Sequence, residues 1–260
     1  VLASRPEFSA LQSKAPPPSP DLDNQGPTEQ QKQTLTAEVE RQRQARQNDS
    51  SISKRKKKPM LAGVMDTQSG EVFTAGNVKT RPDPSTLHPI LRARLEQHDG
   101  AFDLFQSLHT DNNVDLSTLT DDQIRTFLQA QGVQDTAGGL DSVETFRLIE
   151  DRIRFVEERS RSFHEQNVQN GTASGDWPGL TDRDWAGIRN EIATHGEFLA
   201  LNEALKKSGQ GEDAGLHHYL LHNTWWDRDE AMCRCHHCYN LTRGVSLTGS
   251  QAAADHEHYH

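Results

Sequence analysis

Cysteine is scarce, with three in 260 residues. That is too few for a disulfide framework, and their clustering as Cys233, Cys235 and Cys238 favours metal or redox use. Apolar residues make up only 33% of the chain, low for a fully packed globule of this length, so part of the chain is expected to lie outside the core. No long apolar run is present, so neither a transmembrane helix nor a membrane partner is expected. The opening VLASRPEFSA lacks the charged start and apolar stretch of a signal peptide, and a chain beginning at Val1 reads as a piece of a longer protein. Positive charge is in deficit. A net charge of -10 argues against indiscriminate binding to phosphate backbones, though a local basic groove remains compatible with it.

What is present divides unevenly. Residues 1–58, rich in Pro, Gln and Ser, read as a disordered tail and linker. Within them TLTAEVERQRQARQ has the character of a short polar helix with little to pack against. The run Lys54–Lys58 reads either as a solvated charge run or as a nuclear signal or nucleic-acid contact. Folded character begins at Pro59. MLAGVMD and EVFTAGN, separated by TQSG, predict a β-hairpin over 60–66 and 71–76. LHPILRARLEQH predicts a short helix with Pro89 in its first turn. The stretch 100–185 reads as helical. Thr120 and Gln123 stand at capping-box spacing, and Val143, Phe146, Ile149, Ile153 and Val156 follow a period near 3.6. LHHYLLHNTWW reads as either strand or helix, a strand falling within 216–222; GVSLT reads as a short β-type run, and residues 251–260 as a frayed tail.

Chemistry concentrates in two pieces. In ATHGEFLALNEALKK, His195 stands two residues before Glu197 at the start of an amphipathic helix. Thr194 and Glu197 also fit a capping box, in which the carboxylate would only satisfy a backbone N–H. Downstream, Cys235 and Cys238 form C-x-x-C, with Cys238 43 residues beyond His195. At the first turn of a helix, positions i and i+3 share a face, so both sulfurs can bind one ion. One imidazole and two thiolates are the ligand number of a catalytic zinc site. Beside such a site Glu197 has work as an acid/base, since zinc lowers the pKa of its bound water. Two alternatives stay open: a local zinc site built from Cys233, Cys235, His236, His237 and Cys238, and a redox C-x-x-C. The pairing H-x-E with C-x-x-C is the signature of zinc nucleobase deaminases, except that Arg234 stands where proline is usual.

On these residues the chain resembles a known family. AGVMDTQSGEVFTAGN, LHPILRARL, HGEFLALNEALKK, MCRCHHC and GVSLT are similar to the YwqJ-like branch of the cytidine-deaminase-like superfamily, toxin-type zinc deaminases of bacterial secretion systems with relatives in eukaryotes. The resemblance covers 59–99 and 190–249 and implies a three-layer α/β/α sandwich with a mixed central sheet. On it, 59–250 is a deaminase-like domain and 100–185 a helical insertion. It implies His195, Cys235 and Cys238 as zinc ligands, Glu197 as proton shuttle, and Asn77, His88 and Trp226 as substrate contacts. Trp226, with Trp225, could stack a base; core packing is the alternative. The activity implied is hydrolytic deamination of cytosine, or of adenine. The substrate would be single-stranded DNA, RNA or a free nucleoside or nucleotide, and an immunity protein is the implied partner. An inactive fold with a structural zinc is the competing reading. A nucleic-acid-binding protein led by Lys54–Lys58 is a third, opposed by the acidic balance.

Overall fold

A computed structural model describes residues 26–49, 60–111, 114, 116–135, 140–211, 215–225 and 230–259. The Lys54–Lys58 run and Trp226 lie outside them. The chain is mixed α/β around a four-stranded mixed sheet of order β2-β1-β3-β4. The expected hairpin forms from β1 (Met60–Asp66) and β2 (Val72–Gly76), in antiparallel register with Leu61 opposite Gly76 and Met65 opposite Val72. Its turn closes through Gly70 N donating to Asp66 O at 2.8 Å, with Gly70 at φ 76°, a conformation that costs glycine little. β3 (Tyr219–Trp225) runs antiparallel to β1, three residues later than the expected strand, and β4 (Ser246–Leu247) runs parallel to β3.

Strand side chains alternate between faces. Leu61, Gly63 and Met65 of β1 face one side, Ala62 and Val64 the other. The first face corrects the expectation for the N-terminal region. α1 (Glu29–Asn48) is not an undocked part of a tail; it lies across the sheet with Leu35 and Val39 fully buried on Leu61, Met65 and Leu220. Gly63 is what lets it approach, since a Cβ there would stand 2.2 Å from Cγ2 of Val39. The helix opens on a capping box between Thr28 and Gln31, and Gln31 Nε2 donates to Thr67 O at 2.8 Å. Burying two aliphatic side chains contributes roughly 3–6 kcal/mol before chain entropy is subtracted, enough for docking despite the polar character of the rest of the helix.

The opposite face carries α6 (Gly196–Ser208), packed on β1 and β2. Behind it lie α2 (Pro89–Thr110), α3 (Asp121–Ala130), α4 (Ser142–Gln169) and α5 (Asp182–Glu191). α2 is one unbroken helix, so the short helix expected at 87–98 and the insertion expected from residue 100 have no boundary between them. Nor is the helical stretch a separate unit. Phe102, Phe105, Phe146, Ile149 and Trp185 share one buried cluster with Val64, Leu221, Phe198 and Leu201 of the sheet and α6. The periodic positions of α4 are buried through Ile153, beyond which Phe155 and Phe163 are exposed. α7 (His236–Leu241) packs against α4, α2 and α6. α8 (Gly249–Tyr259) lies beside β3. The expected frayed tail is therefore also corrected, because Gln251 and Asp255 of α8 are buried. Among the described residues no helix is long and apolar enough to cross a membrane.

The docking of α1 has a measurable consequence. Leu35→Ala leaves a cavity under a fully buried leucine and should destabilise the chain by roughly 2–5 kcal/mol, read as a lower midpoint of urea unfolding. A change below about 0.5 kcal/mol, the level of a surface substitution, would mean that α1 does not dock.

Candidate metal centre

His195 is the N-cap of α6, and the chain reaches it through strained backbone. Ala193 holds φ 62°, uncommon for a residue with a Cβ. Val78 N donates to Thr194 O at 2.9 Å, tying this approach to the end of β2. Gly196 follows, and a Cβ there would stand 2.3 Å from the carbonyl oxygen of Ala75. The residue between His195 and Glu197 is therefore glycine because the helix start is pressed onto β2. The capping-box alternative fails here. Thr194 Oγ1 donates back to Glu191 O at 3.0 Å, and the N-cap residue, His195, makes no side-chain capping hydrogen bond to the helix.

Cys235 is the N-cap of α7, its Sγ accepting from Cys238 N at 3.4 Å. One helical turn brings both sulfurs to one point. His195 Nδ1 lies 3.2 Å from Sγ of Cys235 and 3.5 Å from Sγ of Cys238. Donor atoms bonded tetrahedrally at about 2.0 Å for nitrogen and 2.3 Å for sulfur would stand roughly 3.5 Å apart, so the spacing fits a shared ion. All three donor atoms lie within 4.8 Å of one another, and the group can hold a metal. Cys233, His236 and His237 do not join it, which removes the expected alternative of a purely local site.

Glu197 stands beside this cluster, almost fully buried. Its Oε1 accepts from Asn223 Nδ2 at 3.1 Å, and Oε2 has no hydrogen-bond partner among the described residues. Burial lifts its pKa to about 7, against the pull of His195. Burial alone would lower His195, but the adjacent Cys235 outweighs it and raises the imidazole to about 9. Within the cysteine pair, their mutual hydrogen bond holds Cys235 well below the ordinary thiol value and Cys238 well above it. Burial raises Cys233, outside the cluster.

The other expected contacts divide. Asn77 is at the centre, its Oδ1 accepting from Gly196 N at 3.1 Å, with the side chain only partly buried. His88 is elsewhere in role: it caps α2, its backbone N–H donates to Asn202 Oδ1 at 2.8 Å, and its Nε2 is 2.8 Å from Gln210 O. Both ring nitrogens are engaged inside the protein, since Nδ1 accepts from Ile90 N at 3.4 Å, so His88 holds α2 against α6 instead of facing a substrate. Two grooves, of about 480 Å³ beside Arg161 and Trp177 and about 420 Å³ at the hairpin turn, include none of the cluster residues.

Sequence reading missed several residues here. Asn223 looks like any polar residue of a strand, and only the register of β3 faces it toward Glu197. His98 of α2 and His237 of α7 form a buried pair, Nε2 to Nδ1 at 3.1 Å, and burial pushes His98 down to about 4. His237, adjacent to Cys238, was visible as one of the crowded histidines; its partner, 139 residues away, was not.

Metal content tests the geometry. The purified chain should hold about one metal ion per molecule, as a single three-ligand site does. Cys235→Ser should lose it, while Cys233→Ser should keep it; elemental analysis giving the reverse order would move the site to Cys233. Set against protein-family models, curated proteins and solved structures, the chain matches none.

Proposed function

We propose that the chain is a zinc-dependent hydrolytic deaminase acting on a nucleobase, cytosine first and adenine second, in single-stranded nucleic acid or a nucleotide. The observation that carries this is the buried Glu197 carboxylate with a free oxygen beside a cluster of three ligands. A structural zinc site is closed by four protein ligands and has no use for such a carboxylate, whereas a catalytic site keeps its fourth position open. Zinc bound by His195, Cys235 and Cys238 would make water acidic enough to act as a nucleophile near neutral pH. The hairpin-first mixed sheet, with α6 on one face and α7 behind it, supports the finer reading of a cytidine-deaminase-like sandwich.

The work of the chain's own residues follows from position. Glu197 Oε2 takes one proton from the attacking water, whose oxygen bonds to the carbon bearing the exocyclic amine. The carboxyl passes that proton to the adjacent ring nitrogen, takes the second proton from the new hydroxyl and gives it to the exocyclic amine; the C–N bond breaks, ammonia leaves, and the base carries a carbonyl beside a protonated ring nitrogen. Burial raises the carboxyl above the ordinary carboxylate value, which favours a group that both accepts and donates a proton. Asn223 holds Oε1 and so leaves Oε2 for this exchange. Asn77 fixes the first N–H of α6 through its oxygen, which leaves its amide nitrogen to donate to a substrate.

Glu197→Gln separates the readings. It is nearly isosteric and retains the hydrogen bond from Asn223. Ammonia release and base conversion should be measured on cytosine- and adenine-containing nucleosides, single-stranded DNA and RNA. The expected outcome is unchanged metal content with a rate loss of about 10²–10⁴-fold or more. Wild-type activity in Glu197→Gln would remove the carboxylate from the mechanism, and a wild-type chain that binds zinc but converts no base would favour the inactive, zinc-stabilised fold.

A further inference from the structure

β4 pairs with only Leu220 and Leu221 of β3. Past that point the strand edge is taken over by α8 and by the loop that carries the cysteines. Asn223 N donates to Gln251 Oε1 at 2.8 Å, and Met232 N donates to Asn223 O at 3.2 Å. Gln251 Nε2 donates to Met232 O at 3.0 Å and to Asp255 Oδ1 at 2.9 Å. Asp255 in turn accepts from the backbone N–H of Arg234 at 2.9 Å and from its Nε at 2.8 Å. Arg234 Nη1 donates to Thr242 Oγ1 at 2.9 Å, and that hydroxyl donates to Cys238 O at 2.7 Å. Gln251, Asp255, Arg234 and Thr242 are all buried.

Resting on the reading of His195, Cys235 and Cys238 as a zinc site, we infer that α8 is the outer shell of that site: Gln251 and Asp255 clamp the loop 232–235, and Arg234 relays the clamp to both cysteines. The backbone immediately before Cys235 is held by Asp255, and the carbonyl of Cys238 is held by the hydroxyl that Arg234 engages. A guanidinium suits this because its planar fork serves two acceptors at once. Arg234 is thus a positioning residue. Where proline would stiffen the start of the helix by its ring, this chain fixes the same place by a buried ion pair to a helix that follows.

Zinc affinity tests this without any assay of activity. The double variant Arg234→Met/Asp255→Leu replaces the pair by apolar side chains, a change that folded proteins commonly tolerate. Thr242→Val removes the relay to Cys238 at nearly constant shape. Zinc affinity is to be measured on the full chain by chelator competition, and the ligand field by the absorption of the cobalt-substituted protein, with far-UV circular dichroism confirming the fold. Outer-shell substitutions typically lower metal affinity 10–100-fold. That loss, with altered cobalt bands, is expected in the double variant and a smaller loss in Thr242→Val. If the double variant does not fold, Thr242→Val decides alone. Folded variants with wild-type zinc affinity and cobalt spectrum would overturn the role of α8, whereas a wild-type chain that binds no zinc would overturn the metal reading itself.

Discussion

The start of α6 rests directly on β2, with no side chain between Gly196 and the carbonyl of Ala75, and the geometry of the centre depends on that contact. It sets how far the helix axis stands from the sheet. It also brings Gly196 N within reach of Asn77. With the helix seated so, His195 at the cap and Glu197 in the first turn are aimed at the cysteine loop. The left-handed backbone at Ala193 turns the chain into this position and is held there by the hydrogen bond from Val78 to Thr194. Local strain of this kind, of order 1–3 kcal/mol, persists where surrounding contacts over-determine it.

Burial then makes the groups at the contact chemically useful. In water Glu197 would be ionised and Cys235 mostly protonated. Inside the protein, burial raises the pKa of the carboxyl, while Cys238 and His195 lower that of Cys235. The same burial makes every polar atom that lacks a partner expensive. Gln251, Asp255 and Arg234 satisfy one another beside the cluster, whereas Oε2 of Glu197, Oδ1 of Asn223 and Nε2 of His237 have no hydrogen-bond partner among the described residues.

The two faces of the sheet have different tasks. α1 closes one face with two aliphatic side chains over a glycine, contributing packing. The other face builds the centre, and α2, α4 and α5 stand behind it in one continuous core. The helical stretch thereby supports α6 and α7 from behind, and α2 is joined to α7 by Arg94, whose Nη1 donates to Leu241 O at 3.0 Å and Arg243 O at 2.7 Å.

Local chemistry was legible from the sequence. The hairpin followed from two apolar runs around a turn, the helix at Asp121 from its capping box, and the buried stripe of α4 from its period, because each depends on residues within a few positions of one another. The His195, Cys235 and Cys238 cluster, which can hold a metal, was legible because its spacing leaves a pattern in the chain. Tertiary structure alone decided what depends on distance in space. α1 docks because Gly63 leaves room for Val39, which no count of polar residues in 29–48 reveals. α8 is ordered by Arg234, Asn223 and Met232, none of them near it in sequence. Thr194 and Glu197 have capping-box spacing, yet His195 is the N-cap and the helix begins at Gly196, because the pressure of β2 on Gly196 and the pull of Asn223 on the carboxylate override a local preference worth about 1 kcal/mol.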